Sequence, residues 1–346
     1  MRLIASLLLF ILISSCKQDV EKPLKFYKSV SVQDIYNDSL SIRAIELMGD
    51  GTLAFAADKG TYGLYFPKNE QWATSKQLHD SVPLHFRAVA HTANDFFMLS
   101  IESPALLYKT GDDGQMALVY KEEGEGVFYD AMTFWNDKEG IAVGDSVNGC
   151  LSIIITRDGG ESWQKLACDN VPKSSAGEGA FAASNTNIKV LGDKAWIATT
   201  SGTIFYTENK GLSWRTITTP MQNTEATQGI YSIDFYDAQH GFAIGGDYTK
   251  PEGNTNNKMK TVDGGKTWQL VANGQAPGYK SCVQYMPNQN AQTLVAVSFN
   301  GIDLSNDGGT SWKHISDESF YTLRFVNDSL AYAAGQGRIS KLKFNR

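Results

Sequence analysis

The sequence predicts an all-β chain folded as a seven-bladed β-propeller of four-stranded antiparallel blades, and three observations predict it. An eight-residue pattern, Ser/Thr-x-Asp-x-Gly-x-Ser/Thr-Trp, recurs at Thr156–Trp163, Thr261–Trp268 and Ser305–Trp312, with a fourth copy at Thr207–Trp214 in which Asn209 replaces the Asp. The copies start at 156, 207, 261 and 305, which are 51, 54 and 44 residues apart, the period of a four-stranded blade and not of a helical repeat. Between them, runs such as Gly241-Phe242-Ala243-Ile244-Gly245 alternate with period two, as strands do.

Each residue of the pattern suits a tight hairpin turn. The carboxylates of Asp158, Asp263 and Asp307 can accept backbone N–H groups of the turn, the glycine can take positive φ, and the hydroxyl residues tie down the flanking backbone. Trp163, Trp214, Trp268 and Trp312 supply large apolar area between sheets, and each indole N–H needs one acceptor. A calcium loop would require alternating oxygen ligands and a closing Glu. Both are absent, so the pattern is structural.

The 346 residues, 42% of them hydrophobic, suffice for a large core, and an all-β ring can use that length as one domain. Net charge is −6 with no block of Lys or Arg, which argues against nucleic acid as a partner. Residues 1–16 run from Met1-Arg2 through a short apolar stretch to Ile13-Ser14-Ser15-Cys16. This resembles a bacterial lipoprotein signal with Cys16 as the acylated first residue of the mature chain, too short for a transmembrane helix. Residues 17–23 read as a polar tether, similar to the surface-export signal of Bacteroidetes lipoproteins, and 24–346 as a single propeller domain. The expected location is the cell envelope, as an outer-membrane lipoprotein facing the periplasm or the surface.

Blade 1 is expected from Ser41 to Leu78, keeping Trp72 at the box position, and blade 2 from His85 to Lys121, with a degenerate turn around Asp112 and Ala117 in place of the Trp. Blades 3 to 6 fall at about 128–166, 179–217, 229–271 and 279–315. The last unit, Phe320 to Phe344, has room for three strands, so residues 24–32 are expected to close the ring as its outer strand and remove an exposed edge. A six-bladed ring with a loose C-terminal unit is the alternative. The turn near Gly159 places Cys150 and Cys168 opposite one another on antiparallel strands, where a disulfide can form provided the register holds. Cys282 is expected to be a small buried residue.

The box-bearing blades, with lead-ins such as Asp234-Phe235-Tyr236-Asp237-Ala238-Gln239-His240-Gly241-Phe242-Ala243, resemble the BNR/Asp-box propellers, and among them the photosystem II assembly-factor type and its relatives in non-photosynthetic bacteria. The resemblance implies a propeller after residue 24 and an arginine patch that contacts a protein client. It does not imply redox chemistry: Gly335-Gln336-Gly337 lacks the third glycine and the strand-to-helix setting of a dinucleotide site.

Function is expected at the upper mouth of the ring, where the inner strands begin. Aligning Ser-Ile-Arg-Ala-Ile, His-Phe-Arg-Ala-Val and Thr-Leu-Arg-Phe-Val places Arg43, Arg87 and Arg324 on adjacent blades 1, 2 and 7, a forked cationic site for carboxylate or phosphate, or else staples that pair with carboxylates of neighbouring blades. Opposite them stand Asp130, Asp145, Glu178, Asn185, Asp234, Asp247 and Tyr248, the last two in the insert 246–257 or beside it. Asn185 and Tyr248 are candidate ligand contacts. Glu178, Asp234 and Asp247 are the candidate carboxylates of a sialidase-like glycosidase, an alternative weakened by the absence of the Phe-Arg-Ile-Pro signature, of which Phe86-Arg87-Ala88-Val89 is a partial echo. The five histidines show no paired ligand spacing, so no metal is expected, and no cofactor. The preferred expectation is a monomeric, lipid-anchored module that binds a protein client or an acidic glycan or peptide and is not an enzyme.

Overall fold

The computed structural model describes residues 24–111, 114–221 and 223–346. Cys16, the signal and tether around it, and Asp112 lie outside the described residues. Among those described, the strands form seven four-stranded antiparallel sheets and one small hairpin, Leu78–His79 with Val82–Pro83. The innermost strands are Ala44–Leu47, Phe86–His91, Tyr129–Phe134, Ile188–Leu191, Gln228–Phe235, Cys282–Tyr285 and Thr322–Phe325. Each packs on the next and the seventh on the first, so the ring closes with seven blades, not six.

Burial grades outward along each blade. Second strands such as Phe96–Ser100 and Leu294–Ser298 are buried at every residue, because both faces of the sheet are covered by neighbouring blades. Such strands read as continuous apolar runs instead of alternating ones. Outer strands such as Gln71–Lys76 and Arg215–Thr218 are mostly exposed and correspondingly polar.

That polarity explains one correction. An N-terminal strand does close the ring as the outer strand of blade 7, but it is Ser29–Ser41, paired from Ser29↔Asn345 to Ser41↔Gln336, and so shares only residues 29–32 with the expected 24–32. Its second half, Gln33 to Leu40, is too polar to announce a strand. Residues 24–28 run instead beside blade 6, where the Tyr27 N–H donates to Asn306 Oδ1 (3.3 Å) and Asn306 Nδ2 returns a bond to the Tyr27 carbonyl (3.0 Å).

The four intact turns share one geometry. In the 261–268 copy, Thr261 Oγ1 donates to Asp263 Oδ1 (2.8 Å) and accepts the Gly265 N–H (2.9 Å), while Asp263 accepts Thr267 N (3.0 Å) and Thr267 Oγ1 (2.6 Å). These bonds pull the Asp263 carboxyl down to about 2, although burial opposes them. At Asn209 the amide keeps the frame by reversing the last bond: its Nδ2 donates to Ser213 Oγ (2.8 Å). Trp214, Trp268 and Trp312 donate their indole N–H to the carbonyl three residues back, whereas the buried Trp163 N–H has no partner.

The second glycine of each turn seats it on the preceding blade. Gly265 has φ +82°, and a Cβ there would lie 2.6 Å from Trp196 Nε1 of blade 4. Gly265→Ala is therefore expected to cost about 2–4 kcal/mol, from left-handed backbone strain plus overpacking. Gly274→Ala, at φ +73° with no atom within 4 Å of the new Cβ, should show the backbone part alone. Urea unfolding midpoints of the two variants check this.

A disulfide joins Cys150 to Cys168, with Cα atoms 5.6 Å apart. Cys150 opens the strand Cys150–Thr156, but Cys168 lies in the 3-10 turn Cys168–Asn170 and not on a facing strand. The fourth strand of blade 3 is only Gln164–Lys165, and after Leu166 N bonds the Ile153 carbonyl (2.8 Å) the chain turns away.

The residues ahead of the inner strand of blade 4 fill the channel. Asn185 Nδ2 donates to the Val89 carbonyl of blade 2 (2.7 Å), and its Oδ1 accepts Met132 N of blade 3 (2.9 Å). Ser184 Oγ donates to the Ser281 carbonyl of blade 6 (2.7 Å), and Thr186 Oγ1 donates to Ser232 Oγ of blade 5 (2.7 Å). From blade 7, Thr322 Oγ1 donates to the Ser184 carbonyl (2.9 Å). Residues 182–187 are all buried. They form a transverse plug that divides the channel into an upper and a lower chamber.

Candidate functional site

One ring position supplies the upper chamber. In blades 2, 3 and 5 the top of the inner strand carries a register shift, between Phe86 and Ala88, Tyr129 and Ala131, and Ile230 and Ser232. A bulge re-aims the unpaired residue, and the residues so placed are Arg87, Asp130 and Tyr231. In blades 1 and 7 the equivalent residues, Arg43 and Tyr321, immediately precede Ala44–Leu47 and Thr322–Phe325.

Arg43 and Arg87 face a chamber of about 460 Å³ whose floor is Ala182 and Ala183 of the plug and whose walls are Phe181, Tyr231, Tyr248, Tyr279, Phe299 and Tyr321. Arg43 lies over the Tyr321 ring, 4.0 Å from its centroid, and its Nε is buried without a hydrogen-bond partner. Arg87 donates from Nε to His85 Nε2 (3.3 Å) and from Nη1 to the Ala182 carbonyl (3.5 Å). Burial and the neighbouring Arg43 guanidinium bring the Arg87 pKa down to about 10, still fully charged at neutral pH. Burial together with Arg87 pushes His85 down to about 4, so it stays neutral and can accept the guanidinium N–H. The rings form a chain: Phe181 stacks on Tyr231 (3.7 Å, 3°), Tyr231 meets Tyr279 edge-on (4.8 Å), and Tyr279 touches Phe299 (5.5 Å). Tyr248 and Phe299 are exposed at the rim.

Arg324 does not join them. The strands Ala44–Leu47 and Thr322–Phe325 have equal length, so the partner of Arg43 in the ring is Tyr321, and Arg324 matches Glu46. Arg324 sits below the plug, donating to the Leu323 and Asn185 carbonyls (2.9 and 3.4 Å) and to Glu46 Oε2 (3.3 Å). It is a staple of a lower chamber of about 580 Å³. Asn185 likewise belongs to the plug and not to a ligand surface.

The carboxylates picked from the sequence are each committed elsewhere. Glu178 accepts Ser175 N (2.8 Å), Thr199 Oγ1 (2.6 Å) and Ser201 Oγ. Asp234 is below the plug, bound to Lys189 Nζ (2.7 Å) and Tyr285 N (2.8 Å). Asp247 closes a local turn through Thr249 N and Oγ1 (2.9 and 2.7 Å), which holds its carboxyl below the usual range although burial works against this. None of the three offers a free oxygen pair across the chamber. Of the aromatic walls only Tyr248 was legible in the sequence; Tyr231, Tyr279, Phe299 and Tyr321 are scattered over blades 5 to 7 with no shared motif.

A family model described as sortilin, neurotensin receptor 3, matches residues 151–301. No curated protein matches the sequence. Among solved structures the chain is similar to one described as YCF48 bound to D1 peptide, at TM-score 0.61 and 13% identity, covering 95% of this chain and 99% of that one. It is also similar to YCF48 from Cyanidioschyzon merolae (TM-score 0.63, 12% identity, 92% and 99% covered) and to the WD40 repeats of RRP9 (0.66, 11%, 92% and 100%). At such identities the likeness is one of fold: this chain is a seven-bladed β-propeller of four-stranded antiparallel blades.

Proposed function

We propose that this chain is a lipid-anchored propeller of the cell envelope that holds a carboxylate-bearing segment of a protein client in its upper chamber. One observation carries the reading: two guanidiniums, Arg43 and Arg87, line an aromatic-walled chamber with no carboxylate paired to either among the described residues. Unpaired buried charge is costly, and an acidic ligand relieves it. Guanidinium groups bind carboxylates through paired, charge-assisted bonds, and the surrounding rings suit the aliphatic or aromatic parts of a peptide. The neighbour bound to a D1 peptide supports a protein client, and the Cys16 pattern supports the anchor.

The test uses a blocked peptide rich in Tyr and Asp beside its Asn counterpart, followed by calorimetric titration. The acidic peptide should bind and the Asn peptide should not. Arg43→Ala and Arg87→Ala should each weaken binding roughly tenfold or more, as expected for charge-assisted hydrogen bonds of about 1.5–3 kcal/mol. Arg324→Ala should lower stability and leave affinity unchanged. Equal binding of both peptides, or full affinity in the double arginine variant, would overturn the reading.

A further inference from the structure

Beside the arginine chamber lies a second one of about 510 Å³, and the wall between them is shared: Arg87, Phe181 and Ala182 line both. Its chemistry is opposite. Asp130, at the bulge of the blade 3 inner strand, and Asp145, on the neighbouring strand Gly140–Val147, both face it, together with the Phe128 ring. Asp130 is wholly buried and neither of its oxygens has a hydrogen-bond partner. Asp145 accepts a single backbone N–H, from Ala180 at 3.3 Å, and Gly179 lies so close that a Cβ there would fall 1.7 Å from Asp145 Oδ1. An orphaned buried carboxyl is destabilising unless something outside the chain completes it.

The charge state sharpens the picture. Burial pushes the Asp145 carboxyl up to about 6, against the pull of the Ala180 amide. Burial and the Asp145 charge raise Asp130 well above the carboxylate range, against the attraction of the Arg87 guanidinium. Glu178, on the adjoining 175–178 turn, is already saturated by Ser175, Thr199 and Ser201.

We propose that Asp130 and Asp145 form a subsite for a primary ammonium group, so that the two chambers together take a ligand carrying a carboxylate and an ammonium a few carbons apart. This rests on the reading of Arg43 and Arg87 as the carboxylate contacts. An ammonium supplies donors to the partnerless Asp130 oxygens and carries the charge complementary to a carboxylate, whereas a hydroxyl brings a single donor and no charge. The Phe128 and Phe181 rings on the same wall suit a cation as well. A metal ion fits less well, since no group of three or more His, Cys, Asp or Glu side chains among the described residues is disposed to hold one.

The experiment is a molecular ruler: calorimetric titration of straight-chain ω-amino carboxylates of increasing length, each against the unsubstituted carboxylate and the n-alkylammonium ion of the same length. At one length the amino carboxylate should bind about tenfold or more tightly than the plain carboxylate at about pH 7.5. That gain should vanish in Asp145→Asn and Asp130→Asn, which keep plain carboxylate affinity, and should fade as the pH falls through about 6 and Asp145 takes up a proton. The wild-type pH profile carries the same test if a variant fails to fold. No gain at any length, or a gain that survives both Asp variants, overturns the subsite and leaves the arginine reading standing wherever plain carboxylates still bind. If no carboxylate binds, the arginine reading fails and the alkylammonium ions decide: binding lost in Asp145→Asn retains the subsite, and no binding overturns it too.

Discussion

Removing residues 1–41 is expected to leave a chain that no longer unfolds as one cooperative unit. Among the described residues, the strand Ser29–Ser41 is the only one paired to the outer edge of Gln336–Asn345. It also brings Leu40 into the blade 1 core with Ile35 and Tyr36, while Val30 and Val32 pack on blade 7 with Tyr27. Trp72 of blade 1 would lose the acceptor of its indole N–H, the Ile35 carbonyl at 2.8 Å. At about 1.5–3 kcal/mol for each fully buried large side chain, the loss is on the order of the roughly 5–15 kcal/mol that holds a domain folded at all. An unpaired edge that templates aggregation would remain. Thermal unfolding by circular dichroism together with size exclusion reads the outcome; a monomer with an unchanged, sharp transition would show that three strands of blade 7 suffice.

Asn185→Ala should be the most damaging substitution at a single side chain in the channel, at about 3–5 kcal/mol. Truncation leaves the Val89 carbonyl and the Met132 N–H buried without partners, each at about 1–3 kcal/mol, and puts a residue with a Cβ but no local hydrogen bond at φ +58°. Asn185→Asp keeps shape and backbone preference but replaces the donor to Val89 with an acceptor, so it should be no milder at neutral pH. The measurement is the denaturant midpoint at constant m-value, with Lys173→Ala, an exposed position on the same long connection, as a near-neutral control.

How far the sequence could be read follows from what repeats. The turns from Thr156, Thr207, Thr261 and Ser305 repeat because every blade must seat its lower edge on the one before, so the ring and its period were legible. The need for an outer strand on blade 7 was legible from counting, but its limits were not, since most of Gln33 to Leu40 is polar and exposed and only Ile35, Tyr36 and Leu40 turn inward. At the mouth the relevant signal was a register and not a motif. Arg43, Arg87, Asp130, Tyr231 and Tyr321 occupy one place in the blade, the residue ahead of the paired part of the inner strand, and bulges in three blades blur the count. Matching Arg324 to Arg43 by residue type slipped that register by three positions and carried the guanidinium through the plug. The plug itself left no periodic trace, because residues 182–187 bond five other blades with side chains and carbonyls chosen for one location only.

The same plug has a consequence for the order in which the molecule can be made. Blades of a ring interact with their immediate neighbours, and a growing chain could in principle add them one at a time as they leave the ribosome. Here the centre of the ring waits. Residues 182–187 find Val89 and Met132 already synthesised, but Ser232, Ser281 and Thr322 are added later, the last of them in the seventh blade. Until then a buried segment of polar residues lacks its partners from blades 5, 6 and 7, so the vestibule above it cannot acquire its floor before blade 7 has been made.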